Sequence, residues 1–286
     1  MHGLSLSRRS LLGLTALAVS ACSSGQAGEN LTSPSSTASP DVVPDLPPPT
    51  PTTSAPVSPT PTPPNLVGDT HNTWVFAPVG RLDNLVTEGS VPYQRAWSTS
   101  KVLVVTAFLQ TVARGDPTRL TSGQAARIDR VLSESHLPSL QALKAEIPGH
   151  PGAVMTKILR SIGDAVTVAP DSYEGTMTWT AVEQVRFMSG LATGAVVTPA
   201  ASAYVLERMH PVASQGWGLP SVGATAAKGG WLRSDTETRQ MGLLRGYAVA
   251  LVTSGVGPVV EQSDGDSAHV DQMNQLAAAL SRRLGS

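Results

Sequence analysis

The chain has 286 residues, a formal net charge of −1, 41% hydrophobic residues and one cysteine. A charge so near zero argues against nucleic acid as a partner, and a lone cysteine excludes an intramolecular disulfide. The six histidines show no metal-ligand spacing, so the sequence calls for no metal, and it carries no fingerprint for another cofactor.

In chain order, the first segment is an export signal. Arg8 and Arg9 form a basic n-region, Leu11–Val19 a short apolar run, and Val19-Ser20-Ala21-Cys22 a small-residue cleavage site. That order is secretory, and the apolar run is too short to span a bilayer. A cysteine at the cleavage point resembles the bacterial lipobox. The resemblance implies that residues 1–22 are a lipoprotein signal segment cut just before Cys22, that Cys22 becomes the new N-terminus and carries lipid, and that the protein is held on the outer face of the cell membrane. The alternative is an ordinary cleaved signal with a chance cysteine. Ser7-Arg8-Arg9-Ser10-Leu11-Leu12 also resembles the twin-arginine motif, which implies export after folding; paired arginines occur in ordinary n-regions too.

Residues 23–67 are rich in Ser, Thr and Pro, with runs such as Pro47-Pro48-Pro49. Such a segment favours extended polyproline conformation and cannot bury enough apolar surface to offset its ordering entropy. It reads as a disordered stalk. Residues 68–286 suit a single domain, expected to be monomeric. Its predicted elements begin with short strands at Asn72–Pro78 and Arg81–Thr87. A helix over Ser100–Arg114 follows, apolar nearly all round and therefore buried. Further helices are expected at Gln124–Ser133, Ser139–Ile147 and Ala153–Ile162. Thr180 and Glu183 form a capping-box pattern for a helix to Leu191, and Thr198-Pro199 starts another to Met209. Strands at Thr225–Lys228, Thr238–Leu244 and Tyr247–Thr253 and a closing helix at Asp271–Leu284 complete the order. Strands segregated from a block of helices imply an α+β fold with a mostly antiparallel sheet flanked by helices.

Ser98 and Lys101 lie three apart where the chain enters the buried helix, so they share one helical face. A serine hydroxyl needs a base before it can attack a carbonyl. Lysine serves as that base when burial and a second cation depress its pKa. The chain has four lysines, Lys101, Lys144, Lys157 and Lys228. Lys228 precedes Gly229-Gly230, where the lack of side chains lets a substrate backbone approach the strand edge.

With these residues the domain resembles the class A β-lactamases and penicillin-binding serine transferases. Their S-x-x-K motif is intact as Ser98 and Lys101, and K-T-G is partly kept as Lys228-Gly229-Gly230. In the S-D-N place stands Ser135-His136-Leu137; a slipped register would use Ser133 instead. Trp217-Gly218-Leu219 resembles a segment common in relatives. The resemblance implies Ser98 as nucleophile, Lys101 as base, Ser135 as proton relay and Lys228 as the substrate-orienting cation. It also implies Gly229, Gly230 and Trp231 at the substrate edge, a trimmed helical part, and a peptidoglycan peptide or β-lactam-like molecule as substrate. Leu137 cannot bond a substrate amide as the family asparagine does, and Gly229 lacks the hydroxyl that helps hold a substrate carboxylate. Asp164, Asp171 and Glu174 are the nearby acids for the deacylating role, none within a recognisable motif. A non-catalytic envelope module is the alternative to an enzyme. Each residue also has a plainer role: Ser98 and Ser135 as helix caps, Lys101 as a solvent-seeking lysine, Lys228 as an edge-strand charge, and Trp97 and Trp231 as packing residues.

Overall fold

The structure, a computed structural model, describes residues 64–92, 94–232, 236–256 and 268–285. The export signal, Cys22 and nearly all of the stalk lie outside these residues. Five strands, β1 (Asn72–Pro78), β2 (Val86–Gly89), β3 (Ala226–Gly230), β4 (Thr238–Leu244) and β5 (Tyr247–Thr253), form one sheet in the order β2-β1-β5-β4-β3. Every pairing is antiparallel. Among the described residues seven α-helices accompany the sheet: α1 (Ser100–Thr111), α2 (Ser122–Ser133), α3 (Leu137–Ala145), α4 (Pro151–Ser161), α5 (Ala181–Thr193), α6 (Pro199–Arg208) and α7 (Ala268–Arg283). The fold is α+β, as the element order implies.

Both faces of the sheet are covered, which explains why β1 and β5 read as apolar runs and not as alternating ones. On one face Val75, Ala77, Ala248, Ala250 and Val252 join the core of α1 and α5. On the other, Trp74, Phe76, Val249 and Leu251 pack with Val270, Met273, Leu276 and Leu280 of α7. Helix α1 runs through the larger core, with Val102 to Val105 and Ala107 to Leu109 all fully buried. Phe108→Ala should therefore cost about 3–5 kcal/mol of stability. Urea unfolding would register that as a lower midpoint at unchanged slope.

Most boundaries follow from identifiable caps. Thr121 and Gln124 form a complete capping box, so α2 begins at Ser122, ahead of the expected Gln124. Proline at the first turn likewise starts α4 at Pro151. The Thr180 side chain caps α5 by accepting from Glu183 N, but Glu183 pairs with Arg186 and does not close the box. The expected strand Arg81–Thr87 is corrected. Leu82–Asn84 form a helical turn, and β2 covers Val86–Gly89. Pro78 and the left-handed Gly80 turn the chain out of the sheet, and pairing resumes only where Val86 meets Phe76.

Candidate active site

The chain reaches α1 through a tight helical turn, Trp97–Thr99, with Trp97 in the left-handed region at φ 43°. The Ser100 hydroxyl donates to Trp97 O at 2.6 Å and fastens this turn. Ser98 sits within it, and one turn later Lys101 points back on the same face. Lys101 Nζ lies 2.9 Å from Ser98 Oγ. It also reaches the carbonyl oxygen of Ser135 at 2.6 Å and Ser135 Oγ at 2.9 Å. Lys228 Nζ comes from β3 to within 2.9 Å of the same Ser135 Oγ and 3.0 Å of Gly229 O. One hydroxyl thus bridges two lysines, and the structure brings Ser98, Lys101, Ser135 and Lys228 together.

The plainer roles can be compared residue by residue. The N-cap position of α1 is Thr99, without a side-chain cap bond, and the Ser98 hydroxyl contacts Lys101 instead. Lys101 is 8% exposed and does not seek solvent. The cap of α3 is His136, whose Nδ1 accepts from Ser139 N, leaving Ser135 to the lysines. Ser133 Oγ donates to Asp129 O within α2, so the slipped register is not the one at the site. β3 is an edge strand, yet Lys228 is 1% exposed and offers no charge to the edge.

Burial governs the electrostatics. Stripping water from Lys101 lowers its pKa to about 8, against an opposing pull from Glu174. Lys228 is pushed well below the ordinary lysine range by burial and by the Lys101 charge. The apolar body of α1 supplies much of this desolvation.

The three acids named from the sequence separate clearly. Asp164 Oδ1 accepts from the backbone N–H of Val166 and Thr167, and Asp171 Oδ1 from that of Gly152. Both hold the loop between α4 and α5 in shape. Glu174 follows Tyr173, another left-handed residue at φ 56°, and faces the site. It is 5% exposed, and its Oε2 accepts from Lys144 Nζ at 2.7 Å. Among the described residues Oε1 accepts no hydrogen bond. The loop packs directly on the Trp97–Thr99 turn, since a Cβ on Gly175 would sit 3.3 Å from Trp97 Cα. The role of Lys144 carried no sequence signal beyond the rarity of lysine.

A cavity of about 580 Å³ opens beside Ser98 and Lys101. Its walls include Trp97, Leu137, Leu140, Tyr173, Trp231 and Leu232, with Lys144 and Glu174 on one side. At Gly230 a Cβ would lie 2.8 Å from Ser98 N, so only glycine lets β3 come this close to the Trp97–Thr99 turn. At Gly229 a Cβ would lie 3.3 Å from the Trp231 ring. Trp231 also packs on Trp217 with ring centroids 5.2 Å apart, so it both packs and lines the cavity. The Trp217-Gly218-Leu219 segment is tied to β4 through Gln240, which accepts from Leu219 N and donates to Trp217 O. No group of acidic, histidine or cysteine side chains among the described residues could hold a metal ion.

No family model and no curated protein matches the chain. Solved structures do. The structure of PBP-A is 16% identical over 77% of this chain and 92% of its own, with a TM-score of 0.58. A class A β-lactamase from Mycobacterium abscessus is 16% identical over 76% of this chain and 95% of its own, at 0.58. A β-lactamase from Burkholderia vietnamiensis is 16% identical, covering 76% and 92%, at 0.57. At this identity the likeness establishes the fold: the domain is β-lactamase/transpeptidase-like.

Proposed function

We propose that the chain is a cell-envelope serine hydrolase or acyltransferase that works through an acyl-Ser98 intermediate. The observation that carries this reading is the Ser135 hydroxyl held 2.9 Å from both Lys101 and Lys228, with Lys101 in turn 2.9 Å from Ser98. As an ammonium, Lys101 has three N–H groups and three oxygen acceptors. On losing one proton it becomes the acceptor of the Ser98 hydroxyl. Ser98 Oγ then attacks a substrate carbonyl, and the proton travels from Lys101 through Ser135 to the leaving group. Lys228 holds Ser135 in place and adds positive charge beside the developing oxyanion. The Ser98 N–H lies in a first helical turn, where backbone donors have no intrahelical acceptor. It supplies one half of the oxyanion hole, and the end of β3 near Trp231 supplies the other. Glu174 is the base for the water that releases the acyl group.

The fold's relatives suggest a peptidoglycan-derived peptide or a β-lactam-like molecule as the first substrates to test. A point mutant of PBP-A has been solved as an acyl-enzyme complex with penicillin G. Cys22 places the protein on the outer face of the membrane by a lipid anchor, where such molecules are met. Several acyl chains hold stably, whereas one holds only marginally. A second reading, a non-catalytic binding module, is favoured by Leu137 and Gly229, which lack the groups that hold a substrate in the relatives.

Incubation with a fluorophosphonate and with a fluorescent penicillin tests the proposal. The expected result is a covalent mass shift on Ser98 that is absent in Ser98→Ala. No adduct from either probe over several hours would favour the binding module.

A further inference from the structure

Resting on the acyl-serine reading, we propose that the preferred acyl donor is a neutral ester with an apolar acyl chain, not an anionic peptide or β-lactam. The cavity wall carries the argument. Seven large hydrophobic side chains are exposed among the described residues, and three of them, Leu137, Tyr173 and Leu232, line this one cavity. Leu137 is 53% exposed, Leu232 42% and Tyr173 83%. Exposed apolar side chains scattered singly need no explanation, but a group of them around a reactive serine marks a binding surface. Trp97, Leu140 and Trp231 continue the apolar wall toward Ser98. A cavity of about 580 Å³ suits a small organic ligand bound mostly through apolar contacts.

The polar groups support the same choice. A substrate carboxylate is held best by an unengaged cation, and among the described residues the lysines at the site are all engaged; Gln141, Ser172 and Thr176 are the neutral polar groups on the cavity wall. Lys144 is taken by Glu174 at 2.7 Å. Lys101 has three oxygen acceptors around its nitrogen. Lys228 is buried behind Ser135. Gly229 has no hydroxyl, and the Trp231 ring borders the space its side chain would enter. Leu137 begins α3 two residues after Ser135 and adds carbon to the cavity wall there. A neutral ester needs no cation to bind it, and its alkoxide leaves with the proton that Lys101 and Ser135 relay.

The reaction balances with water as the only co-reactant. Ser98 Oγ forms a bond to the acyl carbon as the bond from that carbon to the alkoxy oxygen breaks. The Ser98 proton passes through Lys101 and Ser135 to the departing alkoxide, which leaves as an alcohol. Water then attacks the acyl carbon, gives a proton to Glu174, and the acyl–Oγ bond breaks with return of that proton to Ser98. The products are a carboxylic acid and an alcohol.

Hydrolysis of p-nitrophenyl acetate and hexanoate by the full chain, beside nitrocefin and an N-acylated D-alanyl-D-alanine peptide, tests the inference. Each methylene buried in the cavity multiplies kcat/KM by up to about fourfold. The hexanoate should therefore exceed the acetate by roughly 30-fold or more even with incomplete burial, and should exceed nitrocefin and the peptide. Leu137→Asn and, independently, Leu232→Ser should lower the hexanoate-to-acetate ratio severalfold. Both sites are partly exposed, so folding is expected in each case. A nitrocefin or peptide kcat/KM above that for hexanoate, with Ser98 still acylated, overturns the ester inference alone. Equal rates for the two esters overturn it as well. Failure of every substrate and of the fluorophosphonate to modify Ser98 overturns the acyl-serine reading and this inference together.

Discussion

Lys101→Met should slow acylation of Ser98 by about 10²–10⁴-fold, the range over which a positioned general base contributes. The fall should appear in the rate of labelling and not in the final amount bound. Ser98 can attack only when Lys101 has a vacant lone pair, and burial has already brought that lysine's pKa to about 8. Protonation removes the base, so activity is lost as pH falls through this value. Around pH 7 about a tenth of the molecules hold Lys101 neutral, and the acylation rate should rise about tenfold per unit below pH 8 before levelling. In Lys101→Met that limb should disappear along with most of the rate. Glu174 acts against the shift by stabilising the ammonium, so Glu174→Gln should move the limb to lower pH. A rate unaffected by Lys101→Met, or a flat profile in the unaltered protein, would mean that something else activates the serine.

What the sequence discloses here divides by distance along the chain. Ser98 and Lys101 are three residues apart, and helical geometry alone brings them together. The strands β4 and β5 were legible to the residue because both faces are buried and the Arg245-Gly246 turn is tight. Lys228 was placed by the order of elements, since it opens no local pattern of its own. The Lys144–Glu174 pair joins residues thirty apart, from α3 and a loop. No periodicity links them, so only tertiary packing discloses the pair. Backbone conformation was equally hidden. Trp97, Ser135 and Tyr173 all have positive φ, which their side chains disfavour. One precedes Ser98, one carries the bridging hydroxyl and one precedes Glu174. Residues held in such sparsely populated conformations cluster where function constrains the chain. The error at Arg81–Leu85 has a different cause: β1 pairs with β2 only over Thr73–Phe76, so the residues before Val86 find no partner on that edge.

Glu174→Gln should trap the acyl-enzyme. The substitution keeps the size of the side chain and an oxygen for Lys144, while removing the basic carboxylate that draws a proton from water. Release of the acyl group should slow by about 10²–10⁴-fold, whereas Ser98 should still be acylated. Stopped-flow measurements with an ester or penicillin would then show a burst of one equivalent followed by near-arrest, and intact mass would show the adduct persisting. The position of Glu174 makes this expectation specific. Oε2 is bound by Lys144 at 2.7 Å, so the other oxygen is the one available to a water beside Ser98. The same ion pair also fastens the loop to α3, which suggests a competing explanation in which Glu174 matters only as an anchor. Lys144→Met separates the two. It breaks the anchor and leaves the carboxylate basic, so it should lower unfolding stability by about 1–3 kcal/mol. Its acyl release should nonetheless run well ahead of the Glu174→Gln rate. Equal trapping by both substitutions would assign Glu174 to holding the loop and would require another base for the water.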